Sequence, residues 1–133
     1  MSKIFVILKF IFHFSLIFLV ILSLFSGSLI GLLLYGDIGK QPNLIPNHFG
    51  TAINHFIYYF YLSLLGFSVY LKDRIFKKVV YLLFFLSILL ELFHFIIPNR
   101  SFQLTDLIAN ILGVTVAYFL IKIYLFFKSN EKI

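Results

Sequence analysis

The side chains that could do chemistry in this chain are few, and their spacing is helical. Glu91 and His94 are three residues apart, and His55 and Tyr59 are four apart. Asp106, Asn110, Gly113 and Ala117 follow a 4-3-4 spacing, so each group shares one helix face. A carboxylate beside an imidazole can act as a general acid or base, which makes Glu91, Asp106 and His94 the catalytic candidates. Arg100 offers a fork of donors suited to phosphate, and with His55, Asn110 and Tyr59 it forms the set of binding candidates. Imidazole and carboxylate together suit zinc. No tight ligand spacing such as His-Glu-x-x-His occurs, however, so neither a metal nor a cofactor is expected. Cysteine is absent, which excludes disulfides, thiolate metal sites and Cys nucleophiles. There is also no Ser nucleophile motif and no Gly-rich phosphate loop.

Each of these residues has a structural reading beside the chemical one. Glu91 can pair with Arg100 and lock two segments together. Asp106 can cap the helix that follows it. Asn110 and Gly113 have the spacing of helix-packing residues, and Gly27 and Gly31 form a small-xxx-small pair. Tyr58, Tyr59 and Tyr61 read most simply as an aromatic belt at the membrane interface. His13 and His48 look incidental.

The elements that must position these groups are membrane helices. Of the 133 residues, 62% are hydrophobic and 12% charged, and the mean hydropathy is +1.05. A soluble domain of this length needs more polar surface than that, so the outer surface must face lipid. A spanning helix takes roughly 20 apolar residues. Four runs qualify, at about 10–34, 53–71, 79–97 and 107–126. Turn residues separate them: Gly36, Asp37, Gly39, Pro42, Asn43 and Pro46 in the first break, the basic Lys72–Lys78 hinge in the second, and Pro98, Asn99, Arg100 and Ser101 in the third. The uninterrupted runs exclude a barrel, which would alternate. The expected fold is all-α, a polytopic four-helix membrane bundle in one domain, 1–133, with no repeat of fixed period.

Lys3 and Lys9 ahead of an apolar run resemble a signal peptide. The run is too long for a signal core and lacks a clear cleavage site, so it is read as a retained first helix. The positive-inside rule puts both termini in the cytoplasm. Nine basic residues, Lys3, Lys9, Lys72, Arg74, Lys77, Lys78, Lys122, Lys128 and Lys132, then lie inside, and only Lys40 and Arg100 lie outside. Topology therefore accounts for the net charge of +6 without nucleic acid. On this arrangement His55, Glu91, His94, Arg100, Asp106 and Asn110 share the outer leaflet.

The pattern Glu91-x-x-His94-x-x-x-Pro98-x-Arg100-x5-Asp106-x3-Asn110-x2-Gly113, preceded by His55, resembles the VanZ-like family over about residues 53–119. In that family the second position is usually Gln where this chain has His94. Thr51 and Ala52 stand where Asp and Lys are usual, which removes a charge pair at the mouth of the second helix. The resemblance implies a multi-pass protein of the bacterial inner membrane with a role in the cell envelope. The family's namesake is an accessory factor in resistance to the glycopeptide antibiotic teicoplanin. Three readings follow: a protein that binds an anionic lipid or a cell-wall precursor head group through Arg100, an intramembrane enzyme using Glu91 and Asp106 as acid and base, or an assembly factor without a ligand. The expected partners are membrane lipids, and the oligomeric state is left open.

Overall fold

The computed structural model describes residues 3–41 and 50–130. Pro42, Asn43, Pro46, His48 and Lys132 lie outside the described residues. The chain forms α1 (Lys3–Leu24), α2 (Leu29–Tyr35), α3 (Ala52–Tyr70), α4 (Phe76–Leu92) and α5 (Leu104–Asn130), with a 3-10 turn over Phe93–Phe95 continuing α4. Four of these segments, counting α4 with its 3-10 turn, are long and apolar enough to cross a membrane. The expected all-helical fold with four spans is therefore the one observed.

The first span differs from expectation. The run expected at about 10–34 is two helices, because α1 stops at Leu24 and α2 begins only at Leu29. Gly27 takes a left-handed backbone, φ +87°, which a helix cannot contain. Ser28 then caps α2, its Oγ accepting the Gly31 N–H at 2.9 Å. The apolar residues of α2 continue the hydropathy of α1 and so hide the break. Gly27 and Gly31 are consequently not a small-residue pair on one helix. Both instead admit the chain that follows α2, with Gly27 against Ile38 and Gly31 against the Lys40 carbonyl.

α3 is the hub. It packs along α5 and also touches α1 and α4. Its buried face, Tyr59, Leu62, Ser63, Gly66, Phe67 and Tyr70, meets Leu83 and Leu90 of α4 and Val114, Ala117 and Ile121 of α5 in one apolar core. Close approach of α3 and α5 depends on Gly113. A Cβ there would lie 2.7 Å from the Phe56 carbonyl oxygen and 2.8 Å from the Phe60 nitrogen. The packing-residue reading of Gly113 thus matches the structure. α1 is peripheral: it buries only Phe12 and Leu19 and turns Phe10, Phe14, Ile17 and Ile21 outward.

The start of α1, the turn after α3 and the end of α5 share one end of the bundle. Lys9 Nζ donates to Asp73 Oδ2 at 3.3 Å, and Lys72, Arg74 and Lys128 line the same surface. The Ile75 N–H, followed by Lys9, holds the Asp73 carboxyl below its ordinary value. The opposite end carries the break in α1, the 3-10 turn and the start of α5. The polar residues gather there.

Candidate functional site

Glu91 stands in the last turn of α4 with its side chain 1% exposed. One carboxylate oxygen, Oε1, accepts the Gln103 N–H at 3.1 Å and faces His94 Nδ1 at 3.2 Å. The other ring nitrogen of His94, Nε2, faces the Ser23 carbonyl at 3.3 Å. Both nitrogens of His94 therefore meet acceptors. The second oxygen, Oε2, is buried without a hydrogen-bond partner, and His55 Nδ1 stands 4.0 Å away.

His55 enters from the first turn of α3. Its Nδ1 is 3.0 Å from Asn110 Oδ1, and Asn110 Nδ2 donates to the Ser87 carbonyl at 3.3 Å. The amide is thereby oriented with its oxygen toward the ring, so His55 Nδ1 carries the proton that it shares with Asn110. His55 Nε2 lies 3.5 Å from Asp106 Oδ2. Thr51 Oγ1 donates to that carboxylate at 3.1 Å. Thr51 occupies one position of the missing family charge pair and ties α3 to α5 without a charge.

The contacts revise four expectations. Glu91 pairs with His94 and not with Arg100. Asp106 lies inside the first turn of α5, where its charge suits the helix dipole, but its carboxylate is engaged by Thr51 and faces His55 and is not a cap on its own helix. Tyr59 belongs to no interfacial belt: it is 2% exposed and its hydroxyl donates to the Leu86 carbonyl at 3.2 Å. Tyr58 is half-buried with its hydroxyl on the Ser15 carbonyl, whereas Tyr61 is exposed. His13 is also less incidental than its position implied, since it bonds the Lys9 carbonyl and approaches the Tyr70 hydroxyl.

Arg100 serves the end of α1. Its Nη2 donates to the Leu22 carbonyl at 2.6 Å and its Nε to the Phe25 carbonyl at 3.3 Å. A helix leaves its last carbonyls without internal partners, and the break at Ser26–Ser28 creates such an end inside the apolar run. Arg100 and His94 between them occupy two of those carbonyls, Leu22 and Ser23, and the Phe25 carbonyl just beyond the helix. The loop is aimed by Asn99, which takes φ +57° and donates to Ser26 Oγ, while Ser26 Oγ donates to the Pro98 carbonyl. Burial draws the guanidinium below its ordinary value, and the nearby charges of Glu91 and Asp106 push it back up.

These groups close one end of a cavity of about 330 Å³. His55, Tyr59, Glu91, His94, Arg100 and Asn110 line it, and Asp106 stands behind His55. Six of the seven candidate residues thus come to one wall. The rest of the lining surface is largely apolar, with Leu19, Leu22, Leu29, Ile30, Ile57 and Leu90 in it, and Ser23, Ser28, Gln41, Thr51 and Asn54 add polar groups. The contribution of α1 and α2 was not foreseen from the spacing of polar residues. The Ser26-Gly27-Ser28 triplet within an apolar run was the available signal for a break there.

The chain matches the VanZ/LLP1 family model over residues 5–127. It belongs to the VanZ/LLP1 family. The match covers nearly the whole chain and extends well beyond the 53–119 stretch that carries the motif. No curated protein and no solved structure matches this VanZ/LLP1 chain. Family membership and four apolar spanning helices together make it a membrane protein of VanZ type.

Proposed function

We propose that this VanZ/LLP1 protein binds an amphiphile in the bilayer, an anionic lipid or a lipid-linked cell-wall precursor, with its head group at the polar end of the cavity. The observation that carries the reading is the two-part lining. Leu19, Leu22, Ile30 and Ile57 offer apolar surface for a chain in the same cavity as Arg100, His55, Asn110 and Glu91. A volume of about 330 Å³ suits part of a lipid and not the whole of one. The basic residues at the opposite end support an orientation with both termini in the cytoplasm of a bacterial inner membrane. The cavity then lies in the outer leaflet, where envelope precursors are exposed.

The test is mass spectrometry of lipids that copurify with the protein in mild detergent, compared with the bulk membrane. The wild type should enrich one anionic lipid class. Ile57→Trp, which fills the apolar wall while leaving every polar contact in place, should lose that enrichment. A bulk-like lipid profile for wild type and variant alike would overturn the reading in favour of an assembly factor. Conversion of the bound lipid on incubation would instead assign Glu91 and Asp106 an acid–base role.

A further inference from the structure

We propose that His55, Glu91 and Asp106 form a binding site for one divalent transition-metal ion, of the zinc or manganese class. One ring nitrogen of His55 and one carboxylate oxygen from each acid lie within 4.8 Å of one another, although the residues come from three different helices. Zinc holds such donors at about 2.0–2.2 Å, which sets them roughly 3.4 Å apart around a tetrahedron. His55 Nε2 and Asp106 Oδ2 are already 3.5 Å apart. The Glu91 oxygen completes the set within the 4.8 Å spread and must draw inward to reach the ion.

The buried Glu91 Oε2 separates this cluster from an ordinary group of acids. A carboxylate oxygen taken out of water with no hydrogen-bond donor is costly, and this one faces the His55 ring, with Nδ1 4.0 Å away. Each ligand side chain also has a hydrogen-bond partner that orients it, as metal ligands characteristically have. Asn110 occupies His55 Nδ1 and leaves Nε2 for the ion. Gln103 and His94 occupy Glu91 Oε1 and leave Oε2. Thr51 orients the Asp106 carboxylate. Two carboxylates would neutralise a divalent charge in the apolar interior. One imidazole with two carboxylates suits zinc or manganese better than copper or a thiolate-seeking metal.

His55 and Glu91 line the cavity, so the remaining coordination positions of the ion are reached from it. A ligand with an oxygen-rich anionic head would find a cation there. The metal site itself rests on the side chains alone and does not need the lipid reading.

The experiment uses tag-free full-length protein in detergent, stripped with chelator and then given zinc chloride or manganese chloride alone. Bound metal is measured by mass spectrometry after desalting, and melting temperature by a thermal-shift assay. The wild type should retain about one ion per chain and melt higher with the ion than with chelator. Asp106→Asn and His55→Gln should lose both effects, and His13→Gln should keep them. If these variants do not fold, the wild type still decides the matter. The ion should protect His55, and not His13, from modification by diethyl pyrocarbonate. Retention of neither ion, an equal retention in Asp106→Asn, or an unprotected His55 would each overturn the site and leave a structural contact between His55 and the carboxylates. Lipid enrichment is measured separately, so the two proposals fail independently.

Discussion

Replacing Arg100 with Ala should destabilise the fold through the end of α1. The guanidinium makes two hydrogen bonds to backbone carbonyls, one short at 2.6 Å and one long at 3.3 Å. A hydrogen bond from a charged donor contributes ~1.5–3 kcal/mol, so the short bond belongs near the upper figure and the long one adds little. A cation at a helix C-terminus adds ~0.3–1 kcal/mol more. The loss should be about 3 kcal/mol, on the order of a 100-fold shift in the folding equilibrium. Arg100→Lys keeps the charge but cannot span both carbonyls, and should recover roughly half of that. Reversible unfolding in mixed detergent micelles, followed by far-UV circular dichroism, measures both variants. Amide exchange locates the effect, which should be greatest over residues 22–28. Arg100→Ala within about 0.5 kcal/mol of wild type would refute the capping role. Loss of bound lipid without loss of stability would leave Arg100 the head group alone.

Gly113→Ala sets its new methyl against the backbone of α3, where neither helix can give way cheaply, and should cost ~1–3 kcal/mol in the same unfolding assay. Gly66→Ala first meets the Phe12 side chain on the peripheral α1 and should cost less, so equal effects would contradict the close backbone contact. Ser63 Oγ is fully buried without a hydrogen-bond partner. Ser63→Ala should therefore be neutral or raise the unfolding midpoint, and a clear loss of stability would point to a partner for that hydroxyl.

The spans were legible because hydropathy over some twenty residues reports the bilayer directly. The depth at which His55, Glu91 and Asp106 meet was legible for the same reason, since topology alone puts three helix ends on one side. Their contacts were not, because residues 36 to 51 positions apart in sequence are brought together only by the packing of α3, α4 and α5. The partner of Arg100 was illegible for a different reason. It consists of backbone carbonyls, which every residue carries, and they became available only because Gly27 ends α1 early. Tyr59 was misread because a tyrosine near a helix end looks the same whether it faces lipid or core. Only the packing of its ring against neighbouring helices decides which.

The way α1 is attached has a consequence for how the protein is assembled. Between its Lys9–Asp73 link at one end and the Arg100 and His94 contacts at the other, it buries only Phe12 and Leu19. Along its length Tyr58 holds the Ser15 carbonyl and Tyr70 meets His13 and Phe12, so α1 is a thinly buried panel laid on a three-helix unit. Such a panel can be supplied as a separate chain. Fragments ending and beginning in the segment between α2 and α3 should reassemble in the bilayer, in the manner of helices that insert singly and associate afterwards. The docking of α1 then becomes a binding equilibrium that can be measured on its own.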